Sequence, residues 1–454
     1  MMNFNMFGQL LKKSANELSK EKIAELLNTT PEVLEAFESA YSAVADEENS
    51  ESGNFFKLNS RDVAKHNEVS SDDINILEER IVNELLSSSG LITCKDNPPV
   101  TKYDIMNIPK DLRPQLAGNF IKKDIPQDSY PVLLFNYSKW LETGDKHWYH
   151  MFRQGLDILD LDPVVYEMIG MNLNSMGHWF PALKAASDMQ DFFKVPKTKI
   201  VKVPLPILQL TRLDYFSLTP TSLDIVNAWA RKAFELDESK SYFIKTGTYS
   251  SKFDFRNAKV TTPEEVREIG QYLLFVHAQA IAMAHHDISG RNQPCIYGVS
   301  TTNEWVVREY IEDKENLPCI YHGMPLHTEY RAFVDFDADE LIGIVPYWDA
   351  ETMKKRFAQE SDADTADMKH DYIIYCKEEV RLQNTFDDNV QIVSKHLKQL
   401  IPEIDLRGQW SLDIMQNGDD FWLIDMALAA ASALADKLPV RLKVSDENWL
   451  PDMG

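Results

Sequence analysis

The dipeptide Asn417-Gly418 separates two apolar runs that each carry an aspartate, Asp413 and Asp425. Alternating apolar residues around Asn-Gly are typical of a β-hairpin. A carboxylate within a strand is costly to bury without a counter-ion, and two facing carboxylates attract a cation between them. Mg²⁺ prefers such oxygen ligands and takes further oxygens from nucleotide phosphates, so this hairpin predicts a metal–nucleotide site.

The register of the hairpin decides whether both aspartates can reach one metal. With the two-residue loop Asn417-Gly418, Asp413 would pair with Trp422, and the two aspartates would point to opposite faces. With an odd loop such as 418–420, Asp413 would pair with Asp425, and both carboxylates would share a face. The metal hypothesis requires the second register, and the alternative is two acidic residues on a solvated sheet face.

Composition narrows the classes of function. The chain has 454 residues, enough for two or three domains, and a formal net charge of -24. That charge disfavours broad binding to nucleic acid or anionic membrane. The four cysteines form no CxxC pair, and no run of about 18 apolar residues occurs, so we expect a cytoplasmic protein without a zinc site, disulfides or membrane span.

The N-terminal half is predicted to be helical and then mixed. Residues 1–45 are predicted to form short helices, and Pro31 marks the start of the second one. This second helix is acidic, which suits a packing or partner-binding element better than a DNA-binding one. Residues 46–53 read as a solvated linker. Residues 171–181 are either a ligand loop or, more simply, a packed surface loop. The further predicted helices are 71–88, 163–171, 222–234, 263–284 and 390–400; the predicted strands are 131–135, 200–203, 242–246, 305–311, 329–336 and 341–347.

A second candidate ligand segment follows the strand that contains Lys245. The segment continues as Gly247-Thr-Tyr-Ser-Ser-Lys252. A glycine and several hydroxyls between two lysines can surround phosphates with N–H groups, O–H groups and positive charge. The spacing is not that of a Walker loop, and the alternative is an ordinary exit from a strand.

Two arginines interrupt apolar strands, Arg308 before Glu309 and Arg331 two residues after Glu329. A buried arginine needs an anion, either an internal carboxylate or a ligand phosphate. Together with Lys245 and the two aspartates, these arginines could balance a triphosphate and its metals. Internal ion pairing of both arginines with the same two aspartates is the alternative.

Taken in order, these segments resemble the ATP-grasp superfamily. The matching segments are Phe243-Ile-Lys245, Val306-Val-Arg308-Glu309, Thr328-Glu-Tyr-Arg331, Ser411-Leu-Asp413 and Trp422-Leu-Ile-Asp425. They are most similar to the cell-division-cycle-123 proteins and the related two-arginine, one-lysine clade. The resemblance implies an α+β ATP-grasp fold, with two α+β lobes enclosing the nucleotide. The implied domains are a helical region with an acidic linker at 1–90, a mixed α/β domain at 95–235, the ATP-grasp domain at 236–436 and a tail at 437–454.

The resemblance also implies roles for individual residues. Lys245 and Arg331 would hold phosphates, Arg308 would serve a phosphate or the acceptor, and these three would be catalytic. The backbone around Glu309 to Ile311 would receive adenine, and Asp413 and Asp425 would ligate Mg²⁺. The full set implied to bind ATP is Lys245, Thr246, Gly247, Ser250, Ser251, Lys252, Arg308, Glu309, Tyr310, Ile311 and Arg331.

The implied activity is ATP-dependent carboxylate–amine ligation through an acylphosphate, with a small molecule, peptide or protein as acceptor. One position departs from the family pattern: Ala427 stands where a third metal ligand, asparagine, is usual. Ser432 or a water would have to substitute there, or one metal would have to suffice. Relatives of the cell-division-cycle-123 type assist assembly of a translation factor, so an ATP-binding assembly factor is an alternative, and a phosphotransferase is another.

Overall fold

The computed structural model describes residues 19–35, 70–88, 90–91, 170, 172–210, 218, 220–285, 302–359, 366–429, 432–438 and 442. This part of the chain combines helices with two five-stranded sheets and a two-stranded ribbon, which confirms the predicted α+β class. Four predicted segments lie wholly or almost wholly outside the described residues. They are the linker at 46–53, the strand at 131–135, nearly all of the helix at 163–171 and nearly all of the tail at 437–454.

The first sheet has all neighbouring strands antiparallel. Its spatial order is β1 (Gly90–Leu91), β3 (Thr198–Lys202), β6 (Glu304–Glu309), β4 (Tyr242–Thr246) and β5 (Lys259–Val260). Alternate residues such as Ile244 and Val307 face a core shared with several helices. Their neighbours Lys245 and Arg308 therefore project from the opposite face.

The second sheet is antiparallel except at its last pair. Its spatial order is β10 (Glu340–Pro346), β9 (Thr328–Asp335), β11 (Gln409–Asn417), β12 (Asp420–Leu428) and β2 (Phe193–Lys194). β2 and β3 come from the region predicted to form a preceding domain, yet they are strands of these two sheets. The ribbon pairs β7 (Cys319–Ile320) with β8 (Met324–Pro325).

Helices cover the outer faces of both sheets. The helices are α1 (Lys20–Leu26), α2 (Ser71–Ser88), α3 (Met176–Ser187), α4 (Leu205–Leu210), α5 (Pro220–Phe234), α6 (Pro263–Arg267), α7 (Ile269–His285), α8 (Ala350–Gln359) and α9 (Ala366–Leu400). Helices α1, α2, α5 and α7 pack on the first sheet, and α9 packs on the second. Among the described residues, no helix combines the length and hydropathy that a membrane span requires.

Three predicted elements differ from the structure. Residues 176–181 of the predicted loop belong instead to helix α3, which follows Ser175 and buries Trp179 and Leu183. The internal Gly177 and Pro181 mask the helical pattern in the sequence. The helix predicted at 263–284 is broken at Glu268, although Thr262 caps its start with a capping box.

The helix predicted at 390–400 begins much earlier, at Ala366. Its N-terminal half is rich in charged residues and faces water along most of its length, so the apolar stripe that marks a helix in sequence is narrow there.

The β11–β12 hairpin has neither of the two loops considered from the sequence. Asn417 pairs with Asp420 across the two-residue turn Gly418-Asp419, where Gly418 adopts a φ of 63°. That register alone would place Asp413 opposite Ile424. A β-bulge at Ile424 adds one residue to β12, so Asp413 pairs with Asp425 after all. The two aspartates therefore share a face, as the metal hypothesis requires, but for a different reason.

Candidate functional site

A cleft lies between the two sheets and brings together residues that are far apart in sequence. The first sheet contributes Lys245 and Arg308, and the second contributes Asp413 and Asp425. The cavity volume is about 150 Å³. Small-molecule sites usually hold about 300–1,000 Å³, so a larger ligand would require the sheets to separate.

Lys245 and Asp425 form an ion pair across the cleft. The Lys245 Nζ donates to Asp425 Oδ1 at 3.0 Å and to Oδ2 at 2.9 Å. Burial lowers the pKa of Lys245, and Asp425 offsets only part of that effect. Burial alone would raise the pKa of Asp425, but Lys245 and Arg308 outweigh it, so this pKa lies below its ordinary value. The two side chains hold the sheets together at this point.

Arg331 and Asp413 form a second ion pair, within the second sheet. Arg331 donates from Nε to Asp413 Oδ1 at 2.8 Å and from Nη2 to Oδ2 at 2.7 Å, and its guanidinium lies over the Tyr347 ring. Burial opposes the charge on Arg331, but Asp413 more than compensates and raises the pKa of the arginine. The internal pairing considered from the sequence is thus present for Arg331.

Arg308 makes no such pair among the described residues. Its Nη1 donates to the carbonyl of Ile424, the bulged residue, and its Nη2 lies 3.0 Å from Met176 Sδ. Its Nε is buried and has no hydrogen-bond partner in the described part of the chain. Burial lowers the pKa of Arg308 to about 10, so the guanidinium keeps its charge at neutral pH. A buried arginine without a carboxylate in contact is a candidate for an anionic ligand.

Lys252 and Glu329 add a further cation and anion. The Lys252 Nζ lies 4.3 Å from the centre of the Tyr347 ring, and burial lowers its pKa to about 8. Burial raises the pKa of Glu329 to about 7, despite the opposing charge of Lys252. The cleft therefore gathers four cationic side chains and three carboxyl groups, one of which titrates near neutrality.

The cleft also has aromatic and aliphatic side chains in its walls. Phe255 lies with its ring centre 5.8 Å from that of Phe243 and 6.3 Å from that of Tyr310. Ile311 and Met415 line the same cavity. Charged side chains beside aromatic and aliphatic ones suit a ligand with a polyanionic part and a flat apolar part.

Part of the predicted phosphate loop is occupied by internal contacts. The Gly247 N–H donates to the Glu304 carbonyl at 2.9 Å, and a Cβ on Gly247 would approach Thr302 Oγ1 to 2.5 Å. Glu304 is buried and accepts from Ser175 Oγ at 2.7 Å, which ties this segment to helix α3. Gly247 thus serves close packing, while Lys245, Ser250 and Lys252 line the cleft.

The predicted site residues fall into two groups. Those that line the cleft are Lys245, Ser250, Lys252, Arg308, Tyr310, Ile311, Asp413 and Asp425. Arg331 lies beside the cleft and contacts the cleft residue Asp413. The residues that do not line the cleft are Thr246, Gly247, Ser251 and Glu309. The Thr246 Oγ1 accepts from the Tyr249 N–H, the Ser251 Oγ donates to Gln279, and Glu309 pairs with Lys240 on the surface. Residues of the cleft that the sequence analysis missed include Phe243, Phe255, His327, Glu329, Tyr347 and Met415.

Ala427 lies opposite Ser411 in the hairpin. The Ser432 hydroxyl, considered as a substitute ligand, lies 2.5 Å from the Ser411 hydroxyl and donates to the Leu428 carbonyl at 3.1 Å. Ser432 is therefore engaged within the protein and does not line the cleft. Within the described residues, no group of three or more acidic, histidine or cysteine side chains is placed to hold a metal.

The donor set nevertheless suits a metal bound with phosphate. Mg²⁺ commonly uses one or two carboxylates and completes its shell with water and substrate phosphates. Asp413 and Asp425 face each other across adjacent strands and provide two carboxylates. The buried, incompletely satisfied guanidinium of Arg308 provides a donor for a phosphate oxygen.

Comparison with known proteins identifies no family. No protein-family model matches the chain, and no curated protein matches it. Two solved structures that are similar to the chain are Cdc123 from Schizosaccharomyces pombe and a C-terminally truncated form of that protein. Each match has 17% sequence identity and a TM-score of 0.32, and it covers 58% of this chain. It covers 85% of the Cdc123 chain and 86% of the truncated chain.

Proposed function

We propose that the cleft binds ATP together with Mg²⁺, in an arrangement of the ATP-grasp type. The observation that carries this proposal is the surplus of buried positive charge: Lys245, Lys252, Arg308 and Arg331 face Asp413, Asp425 and a Glu329 that is partly protonated near neutral pH. Such a surplus inside a protein is unfavourable unless an anion balances it. A triphosphate provides that anion.

The rest of the cleft suits the other parts of the ligand. The rings of Phe243, Phe255 and Tyr310 would pack against adenine, and Asp413 and Asp425 would hold Mg²⁺ against the phosphates. The ion pairs of the two aspartates would be exchanged for contacts with metal and phosphate. Lys245–Asp425 and Arg308–Ile424 join the two sheets. Their exchange would let a cavity of about 150 Å³ open around the nucleotide.

As the reaction we propose ATP-dependent ligation of a carboxylate to an amine. Bound ATP and Mg²⁺ would supply the phosphoryl group that activates the carboxylate as an acylphosphate. Lys245, Arg308 and Arg331 would stabilise the negative charge that develops on the transferring phosphoryl group, which is usually the largest catalytic contribution of a protein. The proposed nucleotide-binding part is 236–436, completed by β2 and β3.

An ATP-binding assembly factor is the second candidate. The specific observation in its favour is the Ser411–Ser432 hydrogen bond, which engages the hydroxyl considered as a substitute for the metal ligand that is missing at Ala427. With fewer metal ligands, nucleotide would act mainly as a structural ligand that closes the two sheets on each other.

One experiment separates these candidates. The full chain is incubated with Mg²⁺, ATP labelled at the γ-phosphate, and pools of carboxylates, amino acids and peptides, and the products are analysed by mass spectrometry. ADP, phosphate and a new amide support ligation. A phosphorylated acceptor would instead identify a phosphotransferase. Tight ATP binding without turnover supports the assembly factor, and absence of ATP binding refutes the proposal as a whole.

A further inference from the structure

His327 directly precedes strand β9 and lines the cleft between the sheets. Successive side chains alternate between the two faces of a strand, so His327 shares the cleft face with Glu329 and Arg331, and Thr328 points the other way. Arg331 pairs with Asp413 in the adjacent strand. Because each strand residue advances about 3.3 Å, His327 lies about 13 Å along the cleft from that ion pair.

The surroundings of His327 place it near the segment expected to receive the base. Tyr310 and Ile311 line the cleft directly after strand β6. The loop that follows them contains Asp313, whose Oδ1 lies 3.9 Å from His327 Nε2. His327 is therefore close to the loop after Ile311 and remote from the carboxylates proposed to hold the metal.

One hydrogen bond fixes the tautomer of the His327 imidazole. The backbone carbonyl of Gln416, in strand β11, hydrogen-bonds to the ring. Nδ1 has no hydrogen-bond partner in the described part of the chain, so the bond is made by Nε2. A carbonyl oxygen only accepts, and Nε2 must therefore carry the hydrogen in the neutral ring.

The environment of His327 keeps the ring neutral. Its side chain is 4% exposed, and this burial lowers the pKa of His327 below its ordinary value. Arg381 acts in the same direction, whereas Asp313 and Glu315 offset only part of the effect. At pH 7 the ring is therefore neutral, and Nδ1 presents a lone pair without a hydrogen.

This unpaired acceptor restricts the ligand group that can lie beside it. A buried acceptor without a partner is unfavourable and uncommon in folded proteins. Nδ1 can pair only with a group that donates an N–H or an O–H. The ring nitrogens of adenine and the phosphate oxygens are acceptors, so the donors that ATP offers are the 6-amino group of the base and the two ribose hydroxyls.

We propose that His327 is a specificity-determining residue whose Nδ1 accepts a hydrogen bond from the nucleoside part of the nucleotide, either from the 6-amino group or from a ribose hydroxyl. The inference rests on the nucleotide binding proposed above and is independent of the reaction that follows. A nucleotide without the donor leaves Nδ1 buried and unpaired, and such sites discriminate strongly against the analogue that lacks the donor.

The first test compares four nucleotides on the unmodified full chain by isothermal titration calorimetry with Mg²⁺. They are ATP, inosine triphosphate, which carries an oxo group in place of the 6-amino group, 2′-deoxy-ATP and 3′-deoxy-ATP. We expect one analogue to bind at least about tenfold more weakly than ATP, and its identity names the donor. If all three analogues bind within about twofold of ATP, the proposal is overturned.

A variant without the acceptor links this discrimination to His327. His327→Phe keeps a planar ring but has no Nδ1, so ATP should bind about tenfold more weakly. The analogue that lacks the donor should then bind within about threefold of ATP, because neither ligand can make the hydrogen bond. Discrimination as large as that of the parent would show that another group recognises the donor, and would reject the proposal.

Two conservative variants separate the contact with ligand from a structural role. His327→Asn places an amide oxygen near the position of Nδ1, whereas His327→Gln places an amide near Nε2, where it can keep the bond to the Gln416 carbonyl. Discrimination should be retained within about threefold in the asparagine variant and lost in the glutamine variant. The reverse result would show that the bond to Gln416 is what matters, and would refute the role of Nδ1.

Thr328→Val is the matched control. Thr328 is also 4% exposed and has an Oγ1 without a hydrogen-bond partner among the described residues, but it lines a separate cavity beside helix α9. Its replacement should leave all four affinities within about twofold of the parent values. Loss of discrimination in this variant would contradict the assignment to the cleft face.

The affinity for ATP distinguishes failure of this inference from failure of the proposed function. If the parent binds ATP and all three analogues equally, the role of His327 is refuted and the nucleotide site stands. If the parent binds none of the four nucleotides, the nucleotide site is refuted, and the role of His327 is refuted with it.

Discussion

Replacement of Arg308 by methionine should make the protein more stable while it impairs nucleotide binding. Burial lowers the pKa of this guanidinium to about 10, about 2.5 below its ordinary value. At 1.36 kcal/mol per pKa unit, the charged form costs the folded state about 3 kcal/mol. Loss of the hydrogen bond to the Ile424 carbonyl removes about 1.5–3 kcal/mol of that gain. The net expectation is about 1 kcal/mol of added stability.

Nucleotide affinity should change in the opposite direction. A charged hydrogen bond to phosphate contributes about 1.5–3 kcal/mol, so the dissociation constant for Mg–ATP should rise about 10- to 150-fold in Arg308→Met. Stability would be measured by urea denaturation followed through tryptophan fluorescence, and binding by calorimetry. Such a trade between stability and function is common for binding residues.

Arg267→Met is the matched control. Arg267 is about 43% exposed and pairs with Glu238 and Glu264 on the surface, so its replacement should change stability by less than about 1 kcal/mol and leave ATP affinity unaltered. If Arg308→Met loses more than about 1 kcal/mol of stability and binds ATP normally, Arg308 is a structural residue and the reasoning is wrong.

Three further predictions concern the described contacts. Asp413→Asn should destabilise the protein by about 2–4 kcal/mol in urea denaturation, because it leaves the Arg331 guanidinium without its carboxylate. Asp425→Asn should cost a similar amount, because the Lys245 that it leaves without a partner is 2% exposed, and a loss below about 1 kcal/mol in either variant would contradict this reasoning. Gly247→Ala should lower stability by about 1–3 kcal/mol, because the new Cβ would crowd the Thr302 hydroxyl. Gly343→Ala should lower stability less, because its new Cβ meets only the end of a leucine side chain, and the reverse order would refute the packing argument. Burial lowers the pKa of His277 to about 4. As the pH falls below about 6.5, the unfolded chain takes up a proton before the folded protein does, so stability should fall by up to about 3 kcal/mol between pH 6.5 and 4. His277→Gln, which keeps an acceptor for Trp305, should flatten this dependence, and an unchanged pH profile would exclude His277 as its source.

The sequence allowed the strands of the cleft to be predicted because their apolar periodicity is strong and local. Strands β4, β9 and β10 lie close to their predicted bounds, and the charged residues that interrupt them, Lys245 and Arg331, meet the hairpin aspartates. A charge inside an apolar strand is visible in sequence, and burial makes it need a partner.

The remaining features depend on contacts between distant segments. The bulge at Ile424 changes the register by one residue and leaves no sequence signal beyond the hairpin itself. The role of Gly247 follows from its contacts with Ser175 and Thr302, and neither contact can be inferred from a glycine and hydroxyls in a loop. Glu329 was overlooked because its importance comes from burial beside Lys252, although its position two residues before Arg331 places both on one face of β9.

Calorimetric titration of the full chain with ATP, with and without Mg²⁺, tests the central claim most directly. We predict one saturable site whose ATP affinity falls at least about tenfold when Mg²⁺ is removed, and Asp425→Asn should lose most of this dependence on the metal. Absence of saturable ATP binding would contradict the assignment of the cleft. An Asp425→Asn variant that keeps the full effect of Mg²⁺ would show that the hairpin aspartate does not hold the metal.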